Sequence, residues 1–143
     1  MSKKSAFLVM LQIAAMVFLV IYNKPIIFGY GLLFQIFGIV IGFWAIYTIR
    51  VGNFNIQPEV KSDFLIKKGP YKWIRNPMYL AVILFYLPIF LTNSEWINIL
   101  AFGVLLTVLI LKILLEESFL KLRFGEEYLL YKSKTKRLIP YLI

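Results

Sequence analysis

The sequence contains no cysteine and no histidine. The first absence excludes disulfides and thiolate zinc sites. The second removes the commonest metal ligand and the commonest general base near neutral pH. Charge is scarce too: acidic and basic residues together make up 16%, and only seven residues are acidic. Low-complexity tracts and internal repeats are also missing. Any chemistry must therefore come from carboxylates, tyrosines, arginines, lysines, backbone groups or a cofactor.

What is abundant is apolar. Hydrophobic residues account for 61% of the 143 residues, against about half in ordinary soluble domains. A soluble domain of this size has too little interior to hide so much apolar surface, so lipid is the natural solvent. The net charge of +9 is then a matter of topology and of contact with anionic headgroups, with no nucleic acid partner implied.

A helix needs about 20 apolar residues to cross the hydrocarbon core. Four segments qualify: residues 6–22, with Gln12 as the one strongly polar side chain; 26–49, without charge; 78–92, short and interrupted by Pro88; and 96–115, broken only by Lys112 near its end. The first ends in Ile21-Tyr22-Asn23-Lys24-Pro25 without a small-x-small cleavage site, so it reads as a retained span. The turn Asn93-Ser94-Glu95 predicts an antiparallel hairpin of the last two spans, with Ser94 as N-cap of the fourth. The fold class is all-α: one polytopic membrane domain over 1–143, with four transmembrane helices, a loop at 50–77 and a helical tail at 116–143.

Lysine and arginine set the orientation. Lys3 and Lys4, six residues of the middle loop (Arg50, Lys61, Lys67, Lys68, Lys72, Arg75) and six of the tail (Lys121, Arg123, Lys132, Lys134, Lys136, Arg137) oppose Lys24 alone on the other side. Both termini, the middle loop and the tail are thereby expected to be cytoplasmic, at the inner membrane if the chain is bacterial. The segment from Arg50 to Lys68 is expected to fold over the cytoplasmic mouth. Gly31, Gly38 and Gly42 share one helical face, which permits close backbone approach. Packing within the chain is the first reading of that face and a homodimer seam the second.

Two polar clusters land at one depth. Pro77 suits the first turn of the third span, with Asn76 before it as N-cap, Arg75 at the mouth and Tyr79 half a turn inside. From Trp96, twenty residues rise roughly 30 Å, so Glu116 and Glu117 emerge on the same side, and the helix is expected to stop at Gly125. The plain structural readings are a cap at Asn76, a topology charge at Arg75, and i,i+4 helix pairs for Lys112/Glu116 and Glu117/Lys121.

The order of these residues adds a resemblance. Gly69-Pro-Tyr-Lys-Trp-Ile-Arg-Asn-Pro-Met-Tyr79 resembles the G-x-Y-x-x-x-R-H-P-x-Y signature of the isoprenylcysteine carboxyl methyltransferase family, with Asn76 in place of its histidine. Glu116-Glu117-x-x-Leu120-x-x-x-Phe124-Gly125-x-x-Tyr128-x-x-Tyr131-x-x-x-Thr135-x-Arg137-x-x-Pro140 is similar to that family's C-terminal signature. The resemblance implies S-adenosylmethionine as methyl donor, with Tyr71, Arg75, Asn76, Pro77, Tyr79, Glu116 and Glu117 at cofactor positions. It implies Arg137 near the acceptor, where it and Glu116 would serve catalysis, and it implies no metal. The expected reaction is methyl transfer to a lipid-like or prenylated acceptor that enters from the bilayer, a carboxylate first of all, since a carboxylate needs no base. The alternatives are a phospholipid amine, which must first lose a proton to Glu116 or a tyrosine, and a non-catalytic module that binds lipid or a partner.

Overall fold

The computed structural model describes residues 3–49, 64–93 and 95–139. Four helices run in the order α1 (Lys3–Tyr22), α2 (Tyr30–Ile49), α3 (Pro77–Thr92) and α4 (Trp96–Lys134), with a short 3-10 turn at Gly69–Lys72 before α3. No strand occurs among the described residues, so the all-α class holds. Three helices, α1, α2 and α4, are long and apolar enough to cross a membrane, and α3 is a shorter apolar helix. Of the four expected spans, three have the length of a full crossing, while the 16 residues of α3, expected to be short, rise about 24 Å against a core thickness of about 30 Å. Pro88, inside α3, lacks the N–H that would continue the ladder there.

One boundary differs from expectation. The second helix begins at Tyr30 rather than residue 26, because Gln35 competes for the backbone before it. Its Oε1 accepts from Ile27 N–H at 3.0 Å, and its Nε2 donates to Pro25 C=O at 2.8 Å. The helix of the fourth span does break at Gly125, as expected, and a second helix follows it, with Gly125 at φ 48° and ψ −122° forming a kink. Residues 116–124 continue the fourth helix, and the expected helical tail runs on beyond the kink to Lys134. Ser94 lies outside the described residues. The N-cap position of α4 belongs to Glu95, whose carbonyl accepts from Asn98 and Ile99.

The helices pack as two close pairs, α2 along α3 and α1 along α4, while the start of α3 meets the far part of α4 through Tyr79 and Glu116. The glycine face decides the first pair. A Cβ at Gly38 would stand 2.8 Å from Ala81 C=O, one at Gly31 would stand 3.2 Å from Pro88 Cβ, and one at Gly42 would stand 3.4 Å from Ala81 Cβ. That face is occupied by α3 of the same chain, which bears out the first reading of Gly31, Gly38 and Gly42 as a face for packing within the chain. The second pair and α3 share a core of Ala15, Leu19, Tyr79, Tyr86, Ile89, Phe102, Leu105, Leu109 and Ile113. Outward faces are apolar as well, with Phe37, Phe43, Tyr47, Ile99 and Leu100 exposed, as a lipid-facing surface requires.

At the end of the bundle remote from Tyr79, three asparagines knot the connecting turns together. Asn23 and Asn98 exchange side-chain bonds at 2.9 and 3.2 Å, and Asn93 donates to Asn23 at 3.1 Å. Asn98 is fully buried, and its amide also donates to Asn93 C=O at 3.1 Å, so its polar groups are satisfied. Tyr22 adds a bond to Glu95 at 3.0 Å.

Candidate active site

The opposite end of the bundle gathers the residues that the two sequence clusters contain. Gly69 opens the approach. Its φ of +55° is one that glycine adopts without strain, and a Cβ there would run into Thr48 Oγ1 of α2. The 3-10 turn that follows carries Tyr71, and the chain then pairs with the tail. Ile74 and Lys136 form an isolated parallel bridge, with Arg75 N–H donating to Lys136 C=O at 2.7 Å and Lys136 N–H to Trp73 C=O at 3.1 Å.

Asn76 occupies the N-cap position of α3, and its carbonyl accepts from Leu80 N–H at 3.2 Å. Its side chain does not cap the helix, however. The amide turns outward and donates to Arg137 C=O at 3.0 Å, parallel to the bond from its own backbone N–H at 3.2 Å. Asn76 is therefore a two-point clamp on the tail, and the expected side-chain cap is corrected. Pro77 still begins α3 as expected.

Glu117 is the electrostatic centre. Arg75 Nε and Arg137 Nε donate to its Oε1 at 3.2 and 3.1 Å, and Arg137 Nη2 and Lys132 Nζ donate to its Oε2 at 3.1 and 3.0 Å. The Arg75 and Glu117 side chains are each only 8% exposed. Burial by itself pushes the Glu117 carboxyl up, but the bonds from Arg137 and Lys132 and the nearby Arg75 charge outweigh it and hold the group down at about 2. Arg137 in turn is raised, chiefly by its bond to Glu117. Arg75 also binds the tail backbone, donating from Nη1 to Thr135 C=O and to Lys132 C=O. The cluster thus welds the loop before α3, the extension of α4 and the tail into one unit. Glu117 turns toward these cations and not simply along its own helix to Lys121.

Glu116, one residue earlier on α4, faces a different neighbour. Its Oε1 accepts from Tyr79 Oη at 2.6 Å, a short bond of the charge-assisted kind. Behind the pair, Lys112 Nζ lies 5.4 Å from the centre of the Tyr79 ring and donates to Gln12 Oε1 of α1 at 2.7 Å.

The aromatic side of the site comes from the kinked end of α4. Tyr131 Oη donates to Tyr71 C=O at 2.7 Å, and burial, followed by the Glu116 charge, pushes the Tyr71 phenol up. Tyr128 is buried beside Tyr131, with ring centroids 6.3 Å apart. Its hydroxyl finds no hydrogen-bond partner among the described residues.

Of the predicted site residues, Arg75, Asn76, Glu117 and Arg137 join one network, Tyr79 and Glu116 form a pair, Tyr71 stands against Tyr131, and Pro77 positions α3. Four participants went unassigned in the sequence: Lys132, Thr135, Tyr128 and Lys112 in its link to Gln12. Spacing could have flagged Tyr128 and Thr135, which fall on motif positions. Lys132 and Gln12 come into place only through the fold. The rest of the middle loop, residues 50–63, lies outside the described residues, and with it the expected cover over the site. Lys67, at its described edge, pairs with Glu127 of the α4 extension at 2.7 Å.

The family model described as phospholipid methyltransferase matches residues 26–127. The match runs from the turn before α2 to just past the kink of α4, and so takes in Tyr71, Arg75, Asn76, Pro77, Tyr79, Glu116 and Glu117. No curated protein and no solved structure matches the chain. The matched family together with the lipid-facing apolar bundle makes this a membrane methyltransferase, and the chain belongs to the phospholipid methyltransferase family.

Proposed function

We propose that this chain methylates an amine of a phospholipid headgroup, with S-adenosylmethionine as the donor, at the end of the bundle where Tyr79 meets Glu116. The single observation that carries the reading is that pair: a carboxylate within the bundle end, bonded at 2.6 Å to a phenol on the facing helix. Glu116 attracts an ammonium by charge and can take the proton that the nitrogen must lose before it can be methylated. A carboxylate acceptor at the same place would meet repulsion from Glu116. The match to phospholipid methyltransferases favours the same choice and moves the preference from the carboxylate expected from the sequence to the amine.

The donor set suits the proposed cofactor. The Tyr128 hydroxyl is a buried polar atom in want of a partner, and carboxylates stand close to it. When bound, S-adenosylmethionine supplies an electrophilic methyl carbon on a sulfonium. Tyr71, Tyr79, Tyr128 and Glu116 would hold that cation and its amino and hydroxyl groups. Arg75, Asn76 and Pro77 serve by fixing Glu117, the tail and the start of α3. The chain's contribution to rate is alignment in a site with little water, and the apolar acceptor would approach along the exposed helix faces.

A second reading keeps the carboxylate acceptor, prenylated or otherwise lipid-like, of the isoprenylcysteine carboxyl methyltransferases. Its support is the C-terminal motif and Arg137, whose side chain is 34% exposed and could face an anion. Purified protein in nanodiscs with an ethanolamine phospholipid and a radiolabelled methyl donor separates the two. Label in a base-stable methylamine lipid is the expected result. Base-labile methanol from an anionic acceptor would transfer the assignment to the second reading, and no label in any lipid extract would leave a non-catalytic binding module.

A further inference from the structure

The family match begins at residue 26, so α1 lies outside it, yet α1 reaches the site. Gln12 is the strongly polar side chain of an otherwise apolar stretch, and it accepts the Lys112 ammonium at 2.7 Å. Lys112 is 2% exposed and lies about 24 Å along α4 from Trp96, still within the hydrocarbon depth. Helical side chains lean toward the N-terminus of their helix, so Lys112 reaches inward, away from the headgroups to which lysines near a span end normally snorkel. An inward, partnered charge inside a span is where function is sought first.

Its surroundings give that charge a target. The ammonium lies over the Tyr79 ring at 5.4 Å, a cation–π distance. Glu116 sits one turn further along the same helix, within reach of an i,i+4 partner, and holds the Tyr79 hydroxyl. The titratable groups acting on or through Glu116 are Tyr79 from α3, Tyr71 from the 3-10 turn, Tyr128 from beyond the kink, and Lys112 itself. Among them Lys112 brings the positive charge, while the neighbouring Glu117 is committed to Arg75, Arg137 and Lys132. The partner on α1 is an amide, which orients the ammonium without neutralising it.

We propose that Lys112, oriented by Gln12, is a positioning residue that keeps the Glu116 carboxylate charged and turned to Tyr79, so that α1 is a working wall of the acceptor site. The inference rests on Glu116 as the group that meets the acceptor amine, and its test has an arm independent of that reading. Dicyclohexylcarbodiimide is apolar and reacts with protonated carboxyls, so its rate of attachment to Glu116, read by mass spectrometry in nanodiscs at neutral pH, reports the charge on that group. Burial lifts the Glu116 carboxyl to about 7, so at neutral pH Lys112→Met should label up to about twofold faster than the wild type, Lys112→Arg like the wild type, and Gln12→Glu, which pairs the ammonium, in between. In the methyl-transfer assay Lys112→Met should lose about tenfold or more in kcat, and Lys112→Arg should restore it. Equal labelling of Glu116 in wild type, Lys112→Met and Gln12→Glu, each shown to be folded by its thermal transition, overturns the inference. Ordered labelling in a wild type that transfers no methyl group would uphold the electrostatic role and overturn the function proposed above.

Discussion

Glu117 carries more of the molecule's order than any other side chain of the site, since one buried carboxylate holds Arg75, Arg137 and Lys132. Removing a partner from a buried ion cluster leaves charges unpaired. Glu117→Ala is therefore expected to cost about 3 kcal/mol or more, seen as a lowered thermal midpoint in detergent, and to free the tail around Lys136 and Arg137 for amide exchange. The pH dependence follows from a carboxyl held at about 2 against an ordinary 4.5. Its contribution is fully present above about pH 4.5 and declines as pH falls toward 2. A midpoint that is flat through this window in the wild type would contradict the cluster. That Arg75, Tyr79, Glu116 and Glu117 would converge was legible from residue counts, because rise per residue fixes depth. How they divide into two sets was not. Glu116 and Glu117 are neighbours about 100° apart on a helix, and only the packed bundle decides which of them faces Tyr79. Asn76 was misread for a related reason: its position in the sequence is that of a cap, but the carbonyl it binds belongs to Arg137, brought near by the tail.

At the scale of elements, the pairing of α2 with α3 depends on backbone contact at Gly38 more than on side-chain bulk. A Cβ there meets the Ala81 carbonyl at 2.8 Å, whereas one at Gly42 makes an ordinary contact at 3.4 Å. Gly38→Ala should therefore destabilise by about 1–3 kcal/mol, and Gly42→Ala should shift the thermal midpoint little. Equal effects of the two would show that the helices are not in this register. The glycine pattern was visible in the sequence, but its partner was not, since a small-residue face fits any helix that presents a smooth surface. The start of α2 was displaced for a local reason. Gln35 bonds to the turn before α2, whereas the break at Gly125 was legible in the glycine, and a second helix follows it with Tyr128 and Tyr131 buried.

For the whole molecule, apolar length gave the helices, and lysine and arginine give an orientation that labelling can check. A chain without cysteine accepts single reporters cleanly. Lys24→Cys should react with an impermeant maleimide only from outside sealed cells or vesicles, and Lys134→Cys only from inside. The reverse pattern would invert the topology read from the charge asymmetry. The shortness of α3 has a consequence of its own. A helix of about 24 Å set beside longer ones cannot match a bilayer of ordinary thickness, so nearby lipid must thin or water must dip toward its ends. The asparagine knot lies at one end of α3 and Tyr79 at the other, so thinning at the Tyr79 end would shorten the path between a water-borne donor and a lipid-borne acceptor. Turnover in nanodiscs should accordingly be highest in short-chain lipids and fall as the acyl chains lengthen. Turnover that is flat across chain lengths would mean that the neighbouring helices, and not the lipid, make up the missing length of α3.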